Sequence, residues 1–345
     1  MGVALTELLA RKQIEPEFLQ GKTLVVDSPM WLYQFLSSIR QRDGSLLTDS
    51  HGNVTSHLMG LFTRISNLMQ LNIKLAFAFD GRPPKLKNLM LEKRKEMKIN
   101  AMKNFETAKE AGDEELMKRY ASRTSRLNEE MISEAKKLIS AFGSPVISAP
   151  SEAEAQASYI VKNKDAYAIS TNDADSLLFN APLIVRNLNM VGKKKKLNRL
   201  GFDTVKPDLI NLDENLNKLG ISHDQLIVLA MLIGTDYNAG GIKGVGPKSA
   251  LKLVKEHGND FDSLFDKLKW HEFFEYPWTE VFDLIKNMPV DKDYKLGWAE
   301  INREEMLRIL VDNHDFSAER VSSQIDILTN EKQKKRQKGL GEFFG

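Results

Sequence analysis

Two short apolar runs, KTLVVD over 22–27 and KLAFAFD over 74–80, each end abruptly in an aspartate followed by turn residues. Runs of this length, rich in Val, Phe and Leu and apolar on both faces, read as buried parallel strands. A third run, AYAIST over 166–171, stops at Asn172-Asp173-Ala174-Asp175, and a fourth, PVIS over 145–148, leads through Ala149-Pro150 towards a helix. Helical patterns separate the four, as βαβ units require. The chain is therefore expected to be α/β, with a twisted, largely parallel central sheet. Ligands of such sheets collect beyond the carboxyl ends of the strands, and that is where the acids fall.

Seven carboxylates share this placement: Asp27, Asp80, Glu152, Glu154, Asp173, Asp175 and Asp236. Each one alone has an ordinary explanation. Asp27 and Asp80 can cap a following helix, and Asp173 and Asp175 suit a turn. Ser151-Glu152-Ala153-Glu154 reads as a capping box with both acids favoured by the helix dipole. Asp236, in the loop GTDY, needs no special reason. Joint occurrence changes the weighing, because converging carboxylates repel one another unless cations neutralise them. The chain has no cysteine, and its six histidines are scattered without ligand spacing, so oxygen is the expected donor for any metal. Two magnesium ions, or manganese in their place, would activate water and stabilise the leaving oxygen of a phosphodiester.

The formal net charge is only +2, but Arg82, Lys85, Lys87, Lys93, Arg94, Lys95, Lys98 and Lys103 face only Glu92 and Glu96. That local excess points to a polyanion. Lys87 and Arg94 lie two helical turns apart on one face, within reach of a scissile phosphate beside Asp80. Residues 84–135 carry no strand signal and read as a helical excursion of two or more helices, with Gly112 as the break. Trp31 and Tyr33, on the helix after Asp27, can stack a base or fill core. A second helical region, about 222–258, contains the turn Gly241-Ile242-Lys243-Gly244-Val245-Gly246-Pro247-Lys248 opening onto a helix. Such a turn is either a plain helical corner or a contact to DNA backbone through free amides.

The remaining basic runs, KKKKLNR over 193–199 and KQKKRQK over 332–338, read singly as solvated loop or tail. Residues 331–345 are expected to form a flexible basic tail after a single domain over 1–330. Within that tail Gln337, Leu340, Phe343 and Phe344 form Q-x-x-L-x-x-F-F, an anchor for an apolar pocket on a partner. No uninterrupted apolar segment suggests secretion or membrane spanning.

With LVVDSPMWLYQFL, FAFDGRPPKLK, PSEAEAQASYI, STNDADSLLF, IGTDYNAGGIKGVGPKSAL and QKGLGEFF in view, the chain resembles the flap endonucleases of the structure-specific 5′-nuclease superfamily, in their archaeal form. The resemblance implies a PIN-like nuclease fold with a helical arch and a helix–two-turn–helix region. It also implies two-metal hydrolysis near the base of 5′ flaps in branched DNA, with all seven acids at the metals. Lys87 and Arg94 would stabilise the phosphate, Tyr33 would stack on substrate, and Gly2 would lie near the junction. Gly244, Gly246 and Lys248 would grip duplex, with potassium held through main-chain oxygens, and the tail would bind the replication sliding clamp (PCNA). A monomer working inside the cell with chromosomal DNA follows from the same likeness. The competing readings are a relative preferring gaps, bubbles or 5′ ends, and a DNA-binding clamp adaptor without catalysis.

Overall fold

The computed structural model describes residues 4–41, 43–113, 116–117, 120, 126–190, 192–195 and 202–341. Its centre is a sheet of seven strands in the order β1-β9-β6-β5-β2-β3-β4. These are β1 (Lys12–Gln13), β2 (Thr23–Asp27), β3 (Lys74–Phe79), β4 (Val146–Ser148), β5 (Ala168–Ser170), β6 (Leu183–Arg186) and β9 (Asp208–Asn211). The four strands expected from the sequence are all present, and they pair in parallel: β2 with β3 and β5, and β3 with β4. β6 continues the parallel set beside β5, while β9 and β1 close that edge antiparallel. The basic run beginning at Lys193 is not a loop throughout, because β7 (Gly192–Lys195) pairs antiparallel with β8 (Phe202–Val205) as a separate hairpin.

Strand alternation sends β2 side chains into two cores. Val25 joins Ala76, Ala78 and Ile169 on one face; Leu24 and Val26 join Phe77 and Leu75 on the other. The second face is covered by α1 (Ser28–Ser38), α2 (Ser56–Gln70), α4 (Glu129–Ala141), α11 (Arg303–Leu307) and α12 (Ala318–Gly341). Against the first face pack α5 (Ala153–Lys162), α7 (His223–Ile233), α8 (Pro247–His257), α9 (Phe261–Lys267) and α10 (Trp278–Lys286), with α6 (Leu212–Leu219) at the β9 edge. Helix α7 is apolar nearly all round because its residues from Leu226 to Leu232 are all buried. Among the described residues no single helix is long and apolar enough to cross a membrane.

The excursion after β3 begins with a 3-10 turn, Lys85–Lys87, that runs directly into α3 (Asn88–Glu110). The helix ends where Gly112 takes φ 67°, the break its sequence suggested. Little of α3 is buried beyond Ala101 and Ala108. At the other end of the chain α12 continues to Gly341, so helical backbone runs into the stretch expected as a tail. That stretch, rich in Lys, Gln, Arg and Glu, consists largely of good helix formers and extends a helix already anchored by Val321, Ile325 and Leu328.

From β2 the chain goes outward to β3 and β4, then returns to β2's other side as β5. The crevice between β2 and β5, beyond their carboxyl ends, is the topological switch point where α/β sheets bind ligands. Asp27 closes β2 there, and Asp173 and Asp175 follow β5.

Candidate active site

All seven acids gather at this crevice, in two adjoining groups. Asp27 faces Asp80 and Asp173, and Glu154 faces Asp27, Asp173 and Asp175. Glu152 faces Asp80 and Asp236. Tyr237, buried, feels the charge of Glu152, Glu154, Asp175 and Asp236, and so stands near both groups.

The elements that hold them are short and specific. Asp27 caps α1, its Oδ1 accepting the Met30 N–H at 3.2 Å, while its Oδ2 accepts the Thr171 hydroxyl at 3.0 Å. Asp80 reaches across to cap α5, accepting the Ala153 N–H at 2.8 Å. The capping box expected at Ser151–Glu154 does not form: Glu152 is the N-cap residue, and the buried Ser151 hydroxyl has no hydrogen-bond partner. The remote Asp80 carboxylate supplies an acceptor for an N–H at that helix end, which frees Glu152 and Glu154 for the crevice. Gly81 lets the chain leave Asp80 close to the next segment. Its N–H donates to Ser151 O at 2.7 Å, and a Cβ there would stand 2.1 Å from Ala149 O.

Asp236 sits in a loop locked by buried amide chemistry. Asn238 donates to Met231 O at 2.7 Å and accepts from the Thr235 hydroxyl at 2.6 Å and its N–H at 3.1 Å. Tyr276 donates to Tyr237 O at 2.9 Å, tying the loop to the aromatic cluster of Phe265, Trp270, Phe274 and Trp278. Gly241 turns this loop back with φ 58°, so close that a Cβ would lie 2.3 Å from Ile233 C.

Two cations from the excursion close the site. Lys87 donates to Glu152 Oε2 at 2.6 Å and stands 3.6 Å from Asp236 Oδ2; Arg94 donates to Asp236 Oδ1 at 2.6 Å. Lys87 comes from the 3-10 turn and Arg94 from α3 just beyond it, and both reach the acids. Tyr33 and Trp31 part company. Trp31 is fully buried against Phe35 and Phe77, whereas Tyr33 is 39% exposed with Lys98 Nζ 4.7 Å from its ring centroid.

Crowding shows in the protonation equilibria. Burial above all, then Asp80 and Asp173, pushes Asp27 up from 3.8 to about 7 against the pull of the Met30 and Thr171 hydrogen bonds. Glu154 is raised well above the usual carboxylate range by burial and by Asp173, Asp27 and Asp175. Glu152 is raised too, by burial, with Lys87 opposing. Asp80 moves the same way through desolvation of its carboxyl, although the residue as a whole is exposed and water screens part of that effect. Burial disfavours the Lys87 ammonium, but Glu152, Asp236 and Asp80 outweigh it and raise its pKa.

Among the described residues no three acids or histidines stand in the tight spacing of a closed coordination shell. Lys87 and Arg94 instead hold Glu152 and Asp236 in ion pairs. The donor set still fits a hard dication: every donor is a carboxylate oxygen, and the strain on Asp27 and Glu154, from burial first and from neighbouring carboxylates after it, is one a dication would offset.

The glycine turn joins α7 to α8, with Gly246 as the N-cap of α8 and Gly244 at φ 86°. Gly244, Gly246 and Lys248 are all exposed, leaving the amides of the first turn open to an anion. Gly2, Phe343 and Phe344 lie outside the described residues, and of Gln337 and Leu340 only the helical backbone is described. Sequence reasoning missed Thr171, Ser176, Tyr237, Asn238 and Tyr276. The only signal was adjacency, since Thr171 and Ser176 flank NDAD and Tyr237 and Asn238 follow Asp236.

Comparison with known proteins agrees in extent and in kind. The XPG N-terminal domain matches residues 1–101 and the XPG I-region residues 143–236. Flap endonuclease 1 of Thermococcus onnurineus is 45% identical over 345 residues, covering 100% of this chain and 99% of its own. Flap endonuclease 1 of Hyperthermus butylicus is 45% identical over 331 residues, 95% of this chain and 94% of its own. Among solved structures, flap endonuclease-1 from Methanococcus jannaschii superposes with a TM-score of 0.76 at 37% identity, covering 97% of this chain and 100% of that one. The catalytic core of Rad2 in complex with DNA substrate gives a TM-score of 0.71 at 25% identity, covering 95% and 100%.

Proposed function

The chain belongs to the flap endonuclease family of XPG-type nucleases, and from that premise we propose that its gathered acids hold divalent cations with which it hydrolyses a phosphodiester near the base of a 5′ flap. It is a structure-specific, DNA-hydrolysing nuclease of replication and repair. One observation carries the metal reading. Seven carboxylates from separate segments converge at the switch point of a parallel sheet, and two cations from the adjoining helix reach into them.

Asp27, Asp80, Glu152, Glu154, Asp173, Asp175 and Asp236 are the residues to hold magnesium, with manganese as a substitute. Held there, such ions would supply polarisation of the phosphate, a lowered pKa for a water and stabilisation of the leaving oxygen. The chain's own contribution is position and charge. Lys87 and Arg94 lean from the arch onto Glu152 and Asp236, so their heads stand within a side chain's reach of a phosphate seated over those acids. There they offset charge on the phosphoryl oxygens as the bond breaks. Tyr33 offers an exposed ring for stacking a base.

The open amides at Gly244 and Gly246, with Lys248, suit backbone contact to duplex DNA; potassium at that turn rests on the family resemblance alone. Likewise proposed are the domain over 1–330, the arch over 84–135, the sliding-clamp anchor at Gln337, Leu340, Phe343 and Phe344, Gly2 near the junction, a monomeric state, and work inside the cell on chromosomal DNA.

A labelled 5′-flap duplex incubated with Mg2+, with Ca2+ and with chelator tests metal, reaction and substrate together. Cleavage near the junction only with Mg2+ is the expected result. Equal cleavage in chelator would overturn the metal role.

A further inference from the structure

A single hydroxyl stands where three segments of the acidic crevice meet. Thr171, only 1% exposed, follows β5 directly. Its Oγ1 lies 3.0 Å from Asp27 Oδ2 and 3.5 Å from Glu154 Oε1, and it accepts the Asp173 main-chain N–H at 3.1 Å. A hydroxyl carries one proton and two lone pairs, so it can donate to only one carboxylate at a time. The shorter contact assigns that proton to Asp27, and the Asp173 amide occupies a lone pair. Glu154 Oε1 then needs another donor. Ser176 provides it, with its Oγ 2.8 Å away and no exposure. Behind it stands Ser158, whose single proton goes to Glu154 O at 2.6 Å rather than to Ser176 O, 3.2 Å away.

This arrangement adds hydroxyl contacts between the end of β2, the first turn of α5 and the turn after β5. Repulsion between Asp27, Glu154 and Asp173 drives those segments apart, and the two hydroxyls oppose it at the carboxylate oxygens themselves. We propose that Thr171, with Ser176 behind it, is a positioning residue that sets the orientation of Asp27 and Glu154 and the Asp173 turn for divalent-cation binding, an inference that rests on the metal reading of the crevice. Neither residue touches the reacting phosphate in this account. Their effect passes through the carboxylates, as outer partners tune the ligands of metal sites, where removal typically lowers affinity 10–100-fold.

The test uses the full chain as wild type, Thr171→Val and Thr171→Ser. Mg2+ binding to the protein without DNA is measured by calorimetry, beside the Mg2+ midpoint for flap cleavage and the KM for DNA. Thr171→Val is expected to weaken Mg2+ binding about 10–100-fold, to raise the cleavage midpoint by a similar factor, and to leave KM for DNA unchanged at saturating Mg2+. Thr171→Ser, which keeps the hydroxyl, should restore both. A valine variant that melts lower without metal but keeps the wild-type Mg2+ isotherm would show a merely structural role and overturn the proposal. Should Thr171→Val fail to fold, Ser176→Ala is read by the same isotherm, and wild-type affinity there overturns it equally. If wild-type protein takes up no Mg2+, the metal reading fails first and this inference falls with it. If wild type binds and Thr171→Val binds as tightly, only the inference falls.

Discussion

Replacing Asp27 by asparagine should make the metal-free protein more stable at neutral pH while abolishing cleavage. Asp27 is raised from 3.8 to about 7, first by burial and then by Asp80 and Asp173. Between those values the folded protein keeps a proton that the unfolded chain has released. Its stabilising contribution is therefore complete below pH 3.8 and is lost as pH rises through 7. The loss amounts to roughly 4 kcal/mol. It is an upper bound, because a proton taken by Glu154 instead relieves part of the same repulsion. Asparagine keeps the shape and the acceptor for the Met30 N–H but carries no charge, so it escapes that loss. For 345 residues the unfolding entropy is about 0.7 kcal/mol/K, which turns 4 kcal/mol into a Tm gain of about 6 °C. Melting curves of both proteins in chelator at pH 4, 5.5 and 8 should show a gap that opens progressively with pH. Added Mg2+ should then stabilise wild type more than the variant. A Tm gap that is the same at all three pH values would refute the claim that forced ionisation strains this crevice.

Lys87→Ala and Arg94→Ala should each slow flap cleavage about 10²–10³-fold with a smaller change in DNA affinity, measured by single-turnover kinetics beside binding titrations. Gly241→Ala should disrupt the Asp236 loop, since its Cβ would meet Ile233 C at 2.3 Å, whereas Gly240→Ala, at φ 93° with open space around it, should cost only about 1–2 kcal/mol; thermal melts of the two variants separate steric collapse from simple backbone strain.

How far the crevice was legible depends on how local its causes are. Strands β2 and β3 announce themselves because four and five consecutive residues, respectively, are buried on both faces, a pattern few other elements share. Strands β1 and β9 and the Lys193–Lys195 stretch of β7 do not, since two to four residues of ordinary composition become strand only through partners far along the chain. The same distinction governs the site. Acids at strand ends could be counted from the sequence, but the hydroxyls of Thr171 and Ser176 carry no pattern of their own and matter only because β2, α5 and the turn after β5 meet. The helical backbone through 331–341 follows a similar rule: its composition carried no apolar pattern, and it continues a helix whose packed residues lie earlier in α12.

The ordinary and the functional explanations of these acids also turn out to be compatible, and the geometry says why. Asp27 does cap α1, and Asp80 caps a helix, though a different one from the helix that follows it in sequence. A capping carboxylate commits one oxygen to a main-chain N–H, which fixes its rotamer and leaves the other oxygen directed elsewhere. For Asp27 that second oxygen meets Thr171 beside Glu154. Capping therefore pre-orients each of these acids, lowering the entropy that ordering it around a cation would otherwise cost. An acid held only by solvent would have to be fixed at the moment of binding. This makes Asp80 the more informative of the two. By capping α5 from β3's end it fixes the helix that carries Glu154, so strand and helix acids move as one unit, and a change at Asp80 should reach Glu154 without touching it.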